Sequence, residues 1–176
     1  MIRPATPGEA FLLPAIERSA GEIFREWPGL EWIADDTVQS EDQHRALMAT
    51  GVALVADLPD DGVVGFLNGE HRGDALHLWQ IAVHRAWQGR GIGRQLIEAA
   101  GRVARGQGLQ ALTLTTFRAV AWNEPLYQRL GFITLDSEEI PPWLTAVLDA
   151  EGRAGIPVAR RCAMRKSLSY QRSELM

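Results

Sequence analysis

The sequence predicts a mixed α/β or α+β domain with helices layered on one sheet, and three observations carry that prediction. Its 176 residues, 46% hydrophobic and 23% charged, suit one globular domain with a real core. Apolar residues recur at helical spacing in some segments and alternate in others. These segments run helices first, then a hairpin, then strand–helix–strand–helix–strand. No internal repeat, low-complexity tract or long linker interrupts them, so residues 1–176 are read as a single domain.

Met1 to Arg3 is expected to open a short strand. Gly8 to about Glu26 reads as a helix, with Phe11, Leu12, Ala15, Ile16, Ile23 and Phe24 at near-helical spacing. Trp27 to Asp36 reads as a loop and Ser40 to Ala49 as a second helix. Strands follow in "VALVAD" from Val52 and "VVGFLNGEH" from Val63, with a turn at Asp60 to Gly62 between them. Ala75 to Val83 is the next strand. Ile92, Leu96, Ile97, Ala100, Val103 and Ala104 mark one face of a long helix that Gly106 to Gly108 ends. "ALTLTTF" is a strand. Asn123 is expected to cap a short helix with Pro125 in its first turn, and Gly131 stops it. "FITL" continues as a strand, Pro142 to about Gly152 as a helix and Ala159 to Leu168 as a last strand.

The totals exclude several function classes. A net charge of -4 and a pI near 5.6 argue against a nucleic-acid binder, which needs a basic face. The one cysteine, Cys162, forbids an intrachain disulfide. No Cys/His cluster has metal-ligand spacing, so no metal is expected. A reducing compartment, the cytoplasm, is the simple inference. The N-terminal stretch lacks the uninterrupted apolar core of a signal peptide. No stretch reaches the roughly 18 apolar residues that span a bilayer, so no membrane partner is expected.

The chemistry is concentrated in "HRAWQGRGIGRQLIEAA", residues 84 to 100. Gly89, Gly91 and Gly93 lie between a strand and the start of a helix. Free N–H groups and the helix dipole make such a place an anion site. Glycine removes the Cβ atoms that would hold a phosphate away, and Arg85, Arg90 and Arg94 add charge-assisted donors. The P-loop pattern needs Lys-Ser/Thr where Arg94-Gln95 stands. The dinucleotide fingerprint fails in both registers, ending on Arg94 or Leu96. On the glycines alone, a tight turn without a ligand stays open.

The pattern Gln88-x-x-Gly91-x-Gly93 after a strand resembles the acyl-CoA pyrophosphate loop of the GNAT family of N-acetyltransferases. "AWNEPLYQRLGF", Ala121 to Phe132, adds a second match. Asn123, Tyr127, Gly131 and Phe132 stand where that family carries an Asn, a Tyr and a terminal Gly-Phe on a short helix. The two motifs lie about 35 residues apart, in the family's order. The resemblance covers about Val52 to Leu135. It implies a central, mostly antiparallel sheet of six to seven strands, four to five flanking helices, and fourth and fifth strands that splay around a pantetheine arm. The implied co-substrate is acetyl-CoA. Backbone groups of Ile81, Ala82 and Val83 would hold the pantetheine, and one of them the oxyanion. Amides from Gln88, Gly89, Arg90, Gly91, Ile92, Gly93 and Arg94 would hold the pyrophosphate. Asn123 would also contact the cofactor, and the Tyr127 hydroxyl would protonate the departing thiolate.

Acetyl transfer to an amine requires a neutral amine, a donor for the oxyanion and a donor for the thiolate. Direct attack needs no protein nucleophile, and Cys162 lies outside both motifs. For the base, His77 shares one strand face with Trp79, Ile81 and Val83. "ALHLWQIAVHR" also resembles the corresponding strand of arylalkylamine N-acetyltransferases, with His77 on the first of two histidines and Trp79 in place of the second. A hydrogen-bonded strand histidine is the alternative. For the acceptor, Trp27, Glu31, Trp32 and Trp79 supply aromatic and acidic surface suited to a small-molecule primary amine. A solvated acidic loop is the alternative there, and Pro141 to Leu144 offers a further wall. Acetylation of protein N-termini or lysines and a non-catalytic acyl-CoA-binding regulatory module are the competing functions. A homodimer is compatible with each.

Overall fold

The computed structural model describes residues 1–118 and 120–168. The strands are β1 (Ile2–Pro4), β2 (Val52–Leu58), β3 (Gly62–Arg72), β4 (Ala75–Val83), β5 (Ala111–Phe117), β6 (Ile133–Thr134) and β7 (Arg161–Ser167). The α-helices are α1 (Leu13–Gly21), α2 (Glu41–Thr50), α3 (Ile92–Gly106), α4 (Glu124–Arg129) and α5 (Pro142–Arg153). The seven strands form one mixed sheet in the order β1-β2-β3-β4-β5-β7-β6. β1 with β2, β2 with β3, β5 with β7 and β6 with β7 are antiparallel. β4 and β5 are parallel over Ala75↔Ala111, Leu76↔Leu112 and His77↔Thr113, where the ladder ends although both strands continue.

The chain forms two compact units. Met1–Glu70 with Leu78–Ala100 makes the first, and His71–His77 with the chain from Gly101 onward makes the second. The first unit packs Leu13 and Ile16 of α1 against Val55, Phe66 and Ala82 of the sheet. All five are at most 5% exposed, and burying each large one is worth about 1.5–3 kcal/mol. In the second unit Leu135, Leu144 and Ala163 form a buried cluster, with Ile140, Trp143, Val147 and Leu148 packed on it.

The first helix differs from the sequence expectation. Residues Pro7–Leu12 and Glu22–Glu26 are 3₁₀ turns, and only Leu13–Gly21 is α-helix. Pro14 explains the break. It lacks an N–H and is tolerated only in a first turn, so the α-helix must begin beside it. The restart changes which residues face inward: Leu13 and Ile16 are buried, while Phe11 is 61% exposed. The expected loop at Trp27 to Asp36 holds a further 3₁₀ turn, Glu31–Asp35. By contrast, α2 begins where the sequence places it. The Gln43 N–H donates to Ser40 Oγ at 3.1 Å and the Ser40 N–H to Gln43 Oε1 at 2.7 Å. Such a reciprocal cap is worth about 1 kcal/mol.

Arg3 ties β1 to its surroundings. Its guanidinium donates to both Glu9 oxygens, at 2.9 and 2.6 Å, and to Asp57 Oδ2. The Arg3 charge and hydrogen bonds hold the Glu9 carboxyl well below its usual range, near 2 rather than 4.5. A depressed carboxyl contributes stability above its ordinary pKa and loses it as pH falls through the folded one. The thermal midpoint of Glu9→Gln should therefore lie below that of the wild type above pH 4.5. The gap should close as pH falls towards 2, which a melting series across that window checks.

Candidate functional site

In the first unit, β4 ends at Val83 and the chain turns through a 3₁₀ segment, Arg85–Trp87, before α3 begins at Ile92. Several hydrogen bonds hold the turn. The His84 N–H donates to Val64 O at 2.8 Å, the Arg85 N–H to Ser19 Oγ at 3.0 Å and the Gln88 side-chain amide to Val83 O at 3.0 Å. Gly65 makes room beside it. A Cβ there would lie 3.1 Å from Ala82 O and 3.5 Å from Ile92 Cγ2, so a larger residue would push the strand end and the helix start apart.

Gly89 and Gly91 adopt φ of 77° and 79°. In that region a side chain is strained, and glycine is the natural occupant. A Cβ built on Gly89, Gly91 or Gly93 would meet nothing within 4 Å, so the bare side of the loop is open. The N–H groups of residues 89 to 94 have no backbone acceptor among the described residues. Arg90 lies over the Trp87 ring at 4.6 Å, and Arg94 is exposed on the first turn of α3. Donors, dipole and guanidinium groups of one sign surround a cradle without side chains, which is what an anionic diphosphate requires. Ala82 is buried, while Ile81 and Val83 are half-buried.

The acceptor candidates also lie in this unit. Trp27 is half-buried, Glu31 is exposed and Trp32 is 38% exposed. Arg25 braces their segment by bonding both Glu22 and Asp35. These are exposed pairs, worth little individually. Trp79 is placed differently, on the sheet, where its indole N–H donates to Glu70 Oε1 at 2.9 Å. No sequence motif marks Glu70, nor Asn68, Gln39, His44 and Glu17, which form a polar cluster around β3. The alternate positions Phe66, Asn68 and Glu70 carried the available signal, because they share one face of the strand.

The second unit holds Tyr127, Asn123 and His77. Tyr127 sits in the middle of α4, and its ring meets Phe132 edge-on at 5.7 Å. The turn closes through the Phe132 N–H donating to Tyr127 O, with Gly131 at φ 96° making the reversal. Burial pushes the Tyr127 hydroxyl up to about 12, against a smaller opposing effect from the Arg161 charge, so it is protonated at neutral pH. Asn123 does not cap α4 with its side chain, contrary to expectation. Its φ and ψ of -120° and -109° lie outside the extended geometry a cap uses, and only its carbonyl enters the helix, accepting from the Tyr127 N–H. Its Nδ2 is buried without a hydrogen-bond partner. Such a donor invites an acceptor from outside the chain.

His77 is 1% exposed. Its Nδ1 lies 2.9 Å from Thr113 Oγ1, and its ring stands edge-on to Trp143 at 5.3 Å. Burial in this strand does not alternate, because Ala75 to Leu78 are all buried. Cys162 is buried too. Burial, with Glu124 beside it, pushes its thiol up to about 12, which removes it as a thiolate nucleophile. Among the described residues no group of three or more His, Cys, Asp or Glu side chains could hold a metal ion. No described helix is long and apolar enough to cross a membrane.

The sequence profile of the acetyltransferase (GNAT) family matches residues 18–132. Among solved structures, the chain is similar to the PaiA N-acetyltransferase of Thermoplasma acidophilum in complex with coenzyme A. The TM-score is 0.72 and the identity 15%, over 95% of this chain and 98% of that one. It is similar to the ribosomal-protein-S18-alanine N-acetyltransferase of Escherichia coli at TM-score 0.65 and 17% identity, over 100% and 98% of the two chains. It also resembles the N-acetylglutamate synthase of Neisseria gonorrhoeae complexed with coenzyme A and N-acetyl-glutamate. There the TM-score is 0.71 and the identity 18%, over 96% of this chain and 35% of that one.

Proposed function

Since the chain belongs to the acetyltransferase (GNAT) family, we propose that it moves the acetyl group of acetyl-CoA to the primary amine of a small molecule by direct attack in a ternary complex. The observation that carries this reading is the open loop of unpartnered amides at residues 89 to 94, with its two glycines at positive φ. That cradle fits the pyrophosphate, and within the second unit the orphaned Asn123 Nδ2 is a donor for a carbonyl or hydroxyl from outside the chain. The high, protonated Tyr127 hydroxyl suits a donor to the departing thiolate. The inert Cys162 favours attack by the amine itself over an acyl-enzyme.

The proton of the ammonium must leave before attack. As a base, His77 would impose a bend of its own on the pH–rate profile. Its burial and its bond to Thr113 favour instead a role in holding β4 on β5. His77→Leu should then lower stability by about 1–3 kcal/mol, the cost of leaving a buried hydroxyl without that partner. The shape of the pH–rate profile, taken with an amine of known pKa, should stay as in the wild type. A variant that folds well but loses that bend would restore the base role.

The reading is tested by incubating the protein with acetyl-CoA and a panel of alkylamines, polyamines, aminoglycosides and short peptides, following free thiol. Turnover with a small amine and none with peptides is the expected result. Peptide turnover alone would move the acceptor to proteins. CoA binding without turnover on any acceptor would leave a regulatory module.

A further inference from the structure

Tyr127 is carried by a short helix. α4 has six residues, Glu124–Arg129, less than two turns. A helix of that length has no stability of its own, so its position is set by what fastens its ends. At its start the Thr134 hydroxyl of β6 donates to Glu124 Oε2 at 2.6 Å. At its end the chain reverses through Gly131. There the Leu130 N–H donates to Leu126 O and Tyr127 O, and the Phe132 N–H to Tyr127 O. Those last bonds lie within the turn itself and do not tie it to the sheet.

The tie is a lysine that no sequence motif marks. Lys166 lies half-buried on β7, its Cα paired with Leu112 of β5. Its Nζ donates to Leu130 O at 2.8 Å, and no backbone N–H reaches that carbonyl among the described residues. The last carbonyls of a helix lack partners in the helix itself, and a lysine side chain supplies one with charge of the favourable sign. The stem is seated as well as the tip. A Cβ on Gly131 would stand 3.4 Å from Lys166 Cε and 3.6 Å from its Nζ, so the side chain lies along the bare side of the reversal. Leu130 follows Tyr127 by about one helical turn, so a shift of its carbonyl moves the tyrosine backbone with it.

We propose that Lys166 is a positioning residue: by holding Leu130 O it fixes α4 on the sheet and keeps the Tyr127 hydroxyl in place for the departing thiolate. This rests on the reading of Tyr127 as the donor to that thiolate. Lys166→Met keeps the stem against Gly131 and removes the donor, while Lys166→Arg keeps a donor and is the rescue variant. Single-turnover rates are measured with acetyl-CoA and the most active amine of the panel above, in the wild-type and Tyr127→Phe backgrounds. Lys166→Met should lower the rate by about 10- to 100-fold, the scale of an ångström-sized misplacement, with CoA affinity unchanged by calorimetry. In Tyr127→Phe the same substitution should change the rate by less than about 2-fold, because the hydroxyl it positions is gone. Lys166→Arg should restore most of the rate. Lys166→Gln, shorter but polar, repeats the test if Lys166→Met does not fold. The chain has two tyrosines, Tyr127 and Tyr170, so fluorotyrosine labelling gives two resonances, of which Tyr127→Phe removes one. Lys166→Met should displace or broaden the Tyr127 resonance, and Lys166→Arg should not. A full rate in Lys166→Met, an equal loss with and without the Tyr127 hydroxyl, or an unmoved fluorine resonance overturns the assignment. Full activity in Tyr127→Phe, or no turnover of any amine, overturns the donor reading instead, and the fluorine resonance alone then decides whether Lys166 holds the ring.

Discussion

Tyr127→Phe is expected to lower turnover by about 10²–10⁴-fold, the usual range for a donor or acceptor of protons in the transition state. CoA affinity should barely change, because the ring and its edge-on contact with Phe132 are retained. The raised pKa sharpens the expectation. Complete proton transfer from a hydroxyl near 12 to a thiolate with a pKa of about 8.5 is uphill by roughly 5 kcal/mol. On the proposed reading Tyr127 would serve the thiolate as a hydrogen-bond donor while the C–S bond breaks, with a bulk proton following. Two measurements check this. Single-turnover rates of the variant should fall with unchanged CoA calorimetry. In the wild type, no loss of activity from Tyr127 ionisation should be seen until pH approaches 12. Full single-turnover activity in Tyr127→Phe would remove the hydroxyl from the chemistry.

The second large effect is at Gly91. Gly91→Asp places a carboxylate in the open side of the loop and should reduce CoA affinity by about 10²-fold or more, through like-charge repulsion and lost backbone approach. The φ of 79° strains any side chain, so a fold defect must be separated from a binding defect. Gly91→Asn does this, since Asn tolerates the same backbone region and nearly the same volume without the charge. Affinity in the order Gly, Asn, Asp, with similar melting curves for the two variants, is the expected calorimetric result. Equal affinity in all three proteins would take the pyrophosphate away from this loop.

Some of this was legible in the sequence because the chemistry constrains the backbone itself. A strand, three closely spaced glycines and a helix start can be read from residue types, and both positive-φ glycines are among them. Ser40 and Gln43 likewise write a helix cap into four residues. What was illegible depends on residues far apart. Period-2 alternation gives the face on which His77 lies, but not that Trp143, 66 positions later, covers it. The cluster of Glu17, Gln39, His44 and Asn68 joins four segments, and none of them carries a motif. Pro14 was visible, yet hydrophobic spacing before it suggested a continuous helix. Periodicity is averaged over a window, whereas one missing N–H acts at a single residue.

The buried thiol has a practical side. Cys162 is the only cysteine, 1% exposed and far from ionised at neutral pH. Thiol-reactive chromogens can then report coenzyme release continuously, because the protein contributes no signal of its own. Alkylating agents should leave the enzyme active. For the same reason, a cysteine introduced at any exposed position becomes a unique attachment point for a fluorophore or spin label, and the native chain needs no prior cysteine removal.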